Sequence, residues 1–158
     1  MSDLNLTEKQ FESDIEYSLL TYGGYEKGDP KMFDRTVALD VQTLISFVKA
    51  TQLKSWEKYE TIYGTSCEKA FVERFCKEVR SLGLLTVLRH GFKDRGITFR
   101  VVYWKPETTI NQTVQEQYER NVLHCTRQLH YSISSENSID IVLFVNGIPV
   151  VSMELKNQ

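Results

Sequence analysis

The sequence predicts an α/β fold of the α+β kind, with helices packed on a mixed central β-sheet. Three observations carry that expectation. Apolar residues recur at helical spacing through the first half of the chain, whereas β-branched and aromatic runs gather in the second. Helix signals therefore come first and a cluster of strands follows. Between two of the apolar runs, Asn146 and Gly147 give a strong hairpin signal. With 158 residues, 41% of them hydrophobic, the chain is long enough to bury a sizeable core, and a single domain over residues 1–158 is expected.

The first helix opens at a capping box made by Thr7 and Gln10, with Leu6 and Phe11 as a hydrophobic staple, and extends to Tyr22. Phe11, Ile15, Leu19 and Tyr22 make its expected core stripe, and Gly23 and Gly24 stop it. Gly28, Asp29 and Pro30 make residues 25–35 a turn-rich loop. Asp40 caps a second helix through Val41, Leu44, Ile45 and Val48, and Ser55 opens a short third one. Thr65 and Glu68 form another capping box ahead of Phe71, Phe75, Val79 and Leu82, a face that ends at Gly83. After a glycine-punctuated turn, residues 97–104 read as a strand that Lys105 and Pro106 end. A helix over residues 113–121 precedes three strands, at 125–133, 139–145 and 148–155.

Composition narrows the function. No stretch approaches the roughly 20 apolar residues of a membrane span, and the polar start lacks a secretion-signal pattern, so a cytoplasmic protein with no membrane partner is expected. Cys67, Cys76 and Cys125 make no CxxC pair and read as buried free thiols. His90, His124 and His130 lack metal-ligand spacing, and there is no GxSxG elbow. Trp56 and Trp104 read as core rather than as base-stacking platforms. Net charge is −2, but residues 1–40 hold nine acidic and four basic side chains. Residues 74–105 hold eight basic side chains (Arg74, Lys77, Arg80, Arg89, Lys93, Arg95, Arg100 and Lys105) against Glu78 and Asp94. This excess fits a phosphate-facing surface, although charge alone favours a solvated face balancing the acidic start.

The chemistry gathers in "SIDIVLFVNGIPVVSMELKNQ", where Asp140, Glu154 and Lys156 interrupt what otherwise reads as core. A two-residue turn at Asn146 and Gly147 would pair Asp140 with Met153 and send Glu154 to the opposite face. An odd-length loop repairs this. With Val145, Asn146 and Gly147 as a three-residue loop, Asp140 faces Ser152 and Glu154 is its diagonal neighbour; a β-bulge near Gly147 serves the same end. Glu154 and Lys156 are expected on one side of the strand by its alternation. Two close carboxylates resist ionising together unless a cation sits between them. Magnesium suits hard oxygen ligands and usually takes one or two protein carboxylates. Lys156 would then orient or deprotonate a water, or stabilise developing phosphorane charge. The plainer alternative has Asp140 capping the strand and Glu154 paired with Lys156.

Asp140, a hairpin, then Glu154-x-Lys156 resembles the PD-(D/E)xK nuclease signature, with Ile139 in place of the proline. More specifically, "ENSIDIVLFVNGIPVVSMELKN" with "TRQLHYS" upstream resembles the amino-terminal nuclease domain of the restriction (R) subunit of type I restriction endonucleases. "FDRTVALD" and "LRHGFKDRGITFRVVYWKP" are similar to it too, so the likeness spans nearly the whole chain. The resemblance implies a restriction-endonuclease-like core and a magnesium-dependent endonuclease that cuts double-stranded DNA after ATP-driven translocation. It also implies a complex with methylation and specificity subunits. Asp140 and Glu154 become metal ligands and Lys156 the catalytic lysine. Many nucleases of the superfamily place a further carboxylate from the first helix near the metal. Glu12, about 65° from the centre of the apolar stripe against about 105° for Glu16, is that candidate.

Candidate DNA contacts are Arg89, Lys93 and Arg95 from the basic segment, with Arg127 and Gln128 beside the hairpin. The family's Gln-x-x-x-Tyr helix and its GxxxxGK(S/T) phosphate loop do not occur in these residues. The chain is therefore expected to be an amino-terminal fragment of a larger motor-containing protein, inactive alone, with ATP bound only by the full-length chain. A nonenzymatic nucleic-acid or protein interaction module on the same fold is the competing reading.

Overall fold

The computed structural model describes residues 3–156. In chain order these form α1 (Asp3–Tyr22), β1 (Glu26–Lys27), α2 (Val41–Thr51), α3 (Leu53–Tyr63), α4 (Cys67–Leu82), α5 (Leu84–His90), β2 (Phe92–Asp94), β3 (Ile97–Phe99), α6 (Gln112–Glu119), β4 (Leu123–His130), β5 (Ser138–Val145) and β6 (Ile148–Met153). Single 3-10 turns lie at Pro30–Met32 and Gly64–Ser66. The α+β expectation holds. The chain divides into two compact units, one made of Met1–Asp40 with Val122–Gln158 and the other of Val41–Asn121. No described helix is long and apolar enough to cross a membrane.

The first unit is built on a four-stranded mixed sheet in the order β1-β4-β5-β6, in which only β1 runs parallel to its neighbour. Ile15 and Leu19 of α1 pack with Tyr25 and Met153 against Cys125, Ile141 and Leu143. Phe33 and Ile139 pack against a second cluster of Leu129, Val142 and Phe144. Strand β1 falls where a loop was expected, because two exposed polar residues carry no strand pattern. Its place is dictated by the partner strand: Gly28 N donates to Cys125 O at 2.9 Å. A Cβ at Gly28 would lie 2.0 Å from Thr126 Oγ1, so only glycine allows this approach.

Helix α1 differs from its sequence reading in start and in rotation. It begins at Asp3, so Thr7 and Gln10 lie inside it, and Gln10 Nε2 donates to Asp14 at 2.8 Å. The side chains of Leu6 and Thr7 lie outside the described residues. Phe11 and Tyr22, expected in the core, are 56% and 80% exposed. Buried instead, beside half-buried Ile15 and Leu19, are Glu12 and Glu16.

The second unit closes around aromatic rings. Phe71 lies 5.1 Å from both Phe92 and Phe99, and Trp56 and Tyr59 complete the cluster. Trp56 is core as expected, but Trp104 is 55% exposed and donates its indole N–H to Leu88 O. Helix α4 follows its apolar spacing and stops at Gly83, yet its N-cap is Ser66 rather than Thr65, and Glu68 pairs with Lys49 at 2.7 Å. Helix α3 starts at Leu53, ahead of Ser55. Helix α5 had no sequence signal. The strand expected over residues 97–104 ends at Phe99 for a physical reason. The Gln52 amide takes both backbone groups of Arg100, accepting its N–H at 2.7 Å and donating to its carbonyl at 2.8 Å, so no ladder can continue.

Asp94 ties this aromatic core to the β2–β3 hairpin. Its Oδ2 accepts from the hydroxyls of Tyr59 at 2.8 Å and Tyr63 at 2.7 Å. Burial opposes its ionisation, but these two bonds and the charges of Arg74 and Arg95 outweigh it, so the carboxyl sits below its ordinary pKa. Burial, then the bond to Asp94, pushes the Tyr59 hydroxyl up. Replacing Asp94 by Ala leaves the buried Tyr59 hydroxyl without this acceptor, and a loss of about 1–3 kcal/mol is expected at pH 7. A folded carboxyl with a depressed pKa contributes fully above the unfolded value of about 4 and loses that contribution as pH falls through the folded one. Urea unfolding of wild type and Asp94→Ala should therefore differ at pH 7 and converge in strong acid.

Candidate active site

The β5–β6 hairpin turns on two residues. Asn146 (φ 51°) and Gly147 (φ 80°) both take left-handed backbone, and Val145 pairs directly with Ile148. The three-residue loop drawn from the sequence does not form. Buried Asn146 locks the turn: its Oδ1 accepts from Val122 N at 2.7 Å and its own N–H donates to Val122 O at 2.8 Å. Gly147 O accepts from Asp40 N at 2.9 Å.

Such a turn alone would set Asp140 against Met153, but the register shifts between Leu143 and Phe144. Phe144 pairs with Pro149 and Leu143 with Val151, which leaves Val150 as a β-bulge. Beyond it Val142 pairs with Ser152 and Ile141 with Met153. Continued one residue past the paired strand, the same register would set Glu154 opposite Asp140. Ser152 thus faces Val142 rather than Asp140 as expected, and Asp140 lies next to Ile141, the last residue of β5 paired with β6. Strand β6 ends at Met153, and Leu155 N donates to Asp140 Oδ2 at 2.7 Å in place of a ladder bond. Glu154 and Lys156 are exposed and lie past the strand end. Strand alternation therefore does not impose a common side on them, and among the described residues no ion pair joins the two.

Behind Asp140, α1 turns two glutamates onto β4. Glu12 and Glu16 are 4% and 7% exposed. Arg127 Nε reaches Glu12 Oε1 at 2.5 Å, Arg127 Nη1 reaches Glu16 Oε2 at 2.8 Å, and Lys27 Nζ lies 3.8 Å from Glu16 Oε1. The bond from Glu12 raises the Arg127 pKa against the opposing effect of burial, and Glu16 adds to the rise. Gln128 Nε2 lies 3.2 Å from Glu12 Oε2 and 3.2 Å from Asp140 Oδ1, so one amide links the helix carboxylate to the strand carboxylate. Glu12 is thereby brought to the neighbourhood of Asp140. Glu16 is the residue that sequence reasoning missed, because the apolar stripe was centred on side chains that the fold leaves in solvent.

Arg127 and Gln128, read from the sequence as DNA-backbone contacts, direct donor groups to these carboxylates instead. Arg89, Lys93 and Arg95 belong to the second unit and are exposed. Arg95 sits over the Tyr63 ring, with its Nε 3.4 Å from the Tyr63 hydroxyl. His124 and His130 lie near Glu26 and Glu136, each at 3.7 Å. Among the described residues no group of three or more His, Cys, Asp or Glu side chains is arranged to hold a metal ion. The donors available are the two hard carboxylates of Asp140 and Glu154. Asp140 is hydrogen-bonded by neutral amides, which leaves its charge uncompensated and compatible with a hard divalent cation.

A family model described as the type I restriction enzyme R protein N terminus matches residues 5–158. The chain belongs to that family. No curated protein and no solved structure matches it. As an R protein N terminus, it has a restriction-enzyme role, and the family acts on DNA within a restriction complex.

The R protein N terminus depends on Arg127 for the setting of α1. Arg127→Ala would leave Glu12 and Glu16 buried without the guanidinium that compensates them. A loss of about 3 kcal/mol is expected, at the low end for a broken buried pair because the guanidinium is about one-third exposed. Urea unfolding of wild type and Arg127→Ala at pH 7 measures it.

Proposed function

We propose that this R protein N terminus is the magnesium-dependent nuclease of its restriction enzyme, hydrolysing phosphodiester bonds in double-stranded DNA. The observation that carries the reading is the Val150 bulge, whose shifted register, continued one residue past the last pair of Ile141 with Met153, would set Glu154 opposite Asp140. An unbulged hairpin would have sent the two side chains to opposite faces of the sheet.

Asp140 and Glu154 would hold the ion, whose chemistry is to polarise a phosphoryl oxygen and to lower the pKa of a bound water. The chain's own residues do the rest. Leu155 N fixes one oxygen of Asp140 and Gln128 the other, so the carboxylate keeps one orientation. Lys156, two residues beyond Glu154, orients or deprotonates the attacking water or stabilises charge on the phosphate. These residues contain no GxxxxGK(S/T) loop, and the proposal assigns them no part in ATP-driven translocation. Methylation and specificity subunits complete the enzyme.

In the complete restriction complex, Asp140→Ala and Glu154→Ala should each abolish cutting, and Lys156→Ala should slow it by about 10²–10⁴-fold. DNA-stimulated ATP hydrolysis should persist in all three. A variant that still cuts at the full rate removes its residue from the site, and full cutting by all three would leave a nonenzymatic module.

Residues 1–158 alone should bind duplex DNA weakly, through exposed basic side chains of the segment from Arg74 to Lys105, with affinity falling steeply as salt rises. They should neither cut DNA nor hydrolyse ATP. Fluorescence titration at low and moderate salt, with and without magnesium, checks this, and tight salt-insensitive binding would contradict it.

A further inference from the structure

Gln128 lies inside β4 with φ 50°, a left-handed backbone that residues other than glycine rarely adopt. Its neighbours pair in ordinary register, Arg127 with Ile141 and Leu129 with Ile139. In a regular strand Arg127 and Gln128 would point to opposite faces. Here the left-handed residue cancels that alternation. Both side chains reach the same carboxylate, Arg127 Nε at Glu12 Oε1 and Gln128 Nε2 at Glu12 Oε2. The Gln128 amide also has a defined sense: Ser138 Oγ donates to its Oε1 at 3.0 Å, which directs the NH2 group to Glu12 and to Asp140 Oδ1.

We infer that Gln128 is a positioning residue for Asp140, and that Glu12 anchors this network without itself ligating the metal. The inference rests on the nuclease reading above. Asp140 has its two oxygens bonded by neutral amides, whereas Glu12 is buried and its charge is already met by the Arg127 guanidinium, which leaves no need for a second cation. The protein's metal ligands are then Asp140 and Glu154 alone, and Gln128 transmits the fixed position of α1 to Asp140.

The test uses nucleotide-free full-length R protein, with Mn2+ as the probe read by electron paramagnetic resonance, alongside cutting by the assembled complex. Asp140→Ala should remove Mn2+ binding at this site. Gln128→Gly should weaken it by about 10- to 100-fold, the usual effect of losing an outer-shell partner, and cutting should recover as magnesium is raised. Its thermal midpoint serves as the folding control, since glycine takes φ 50° without strain and so offsets part of the cost of leaving Glu12 without the amide. Gln128→Asn, which tolerates the same backbone but is one methylene short, should show the same loss of affinity. Glu12→Ala should weaken Mn2+ binding no more than Gln128→Gly does. Wild-type Mn2+ affinity in either Gln128 variant, with Asp140→Ala unable to bind, would overturn the positioning role. A Glu12→Ala loss as complete as that of Asp140→Ala would make Glu12 a ligand. Wild-type binding by Asp140→Ala would instead sink the underlying nuclease site, an outcome separate from the other two.

Discussion

The guanidinium of Arg127 decides how the first unit is assembled. Glu12 and Glu16 sit one helical turn apart on α1, a spacing that suits the planar fork of an arginine, and Arg127 bonds both. Two buried carboxylates would otherwise repel each other and lose their hydration. With the arginine present, α1 can turn its glutamates toward the sheet and leave Phe11 and Tyr22 in solvent. Without it, the apolar periodicity would favour the opposite rotation. The rotation then fixes where Glu12 stands, and through Gln128 where Asp140 stands.

The rest of the site is set by departures from regular β geometry. A left-handed residue other than glycine costs about 1–2 kcal/mol, and β4 accepts one at Gln128. A bulge interrupts a ladder that an Asn-Gly turn would otherwise close without error. Both lie on the paired strands that carry Asp140 and its neighbours. Together these irregularities set where the side chains of Gln128 and its neighbours on β4 and β6 point, at a cost in regular ladder geometry. The buried Asn146, the Gln52 amide and Asn121 show the same economy elsewhere. Gln52 and Asn121 each match a backbone N–H and C=O pair with one side-chain amide, and Asn146 does so with its side-chain oxygen and its own backbone N–H, so irregular backbone is fixed where a sheet would leave groups unpaired.

What the sequence made legible was whatever depends on near neighbours. Helix α4 follows its four-residue apolar spacing and its terminal glycine, and the hairpin sits at Asn146 and Gly147 as its dipeptide requires. The pairing of Asp140 with Glu154 could be posed as a question of register because strand alternation has a fixed period. What stayed hidden depends on distant partners. Arg127 is 115 residues from Glu12, and Gln52 is 48 residues from the strand end it caps. No window of sequence joins them. The bulge had one local signal that went unused: Pro149 cannot donate to a ladder, and proline inside a strand is confined largely to edges and bulges. Strand β6 is an edge strand, and the bulge follows Pro149 directly.

The two pairs of carboxylates also differ in the counterion each can accept. Glu12 and Glu16 are buried and face an arginine, which stays protonated at any physiological pH and cannot diffuse away. The guanidinium permanently offsets one of their two charges, with Lys27 3.8 Å from Glu16, an arrangement suited to holding a helix. Asp140 is half-buried and Glu154 exposed, and Asp140 is bonded by amides that orient a carboxylate without cancelling its charge. On the proposed reading that pair takes an exchangeable divalent ion, which must be able to arrive and to coordinate a phosphate. Had the arginine stood at Asp140, the carboxylates would be satisfied and chemically idle. Had the α1 glutamates been left to bind metal, helix packing would vary with metal supply. The Gln128 amide keeps the two apart while joining them mechanically: it passes on position and carries no net charge.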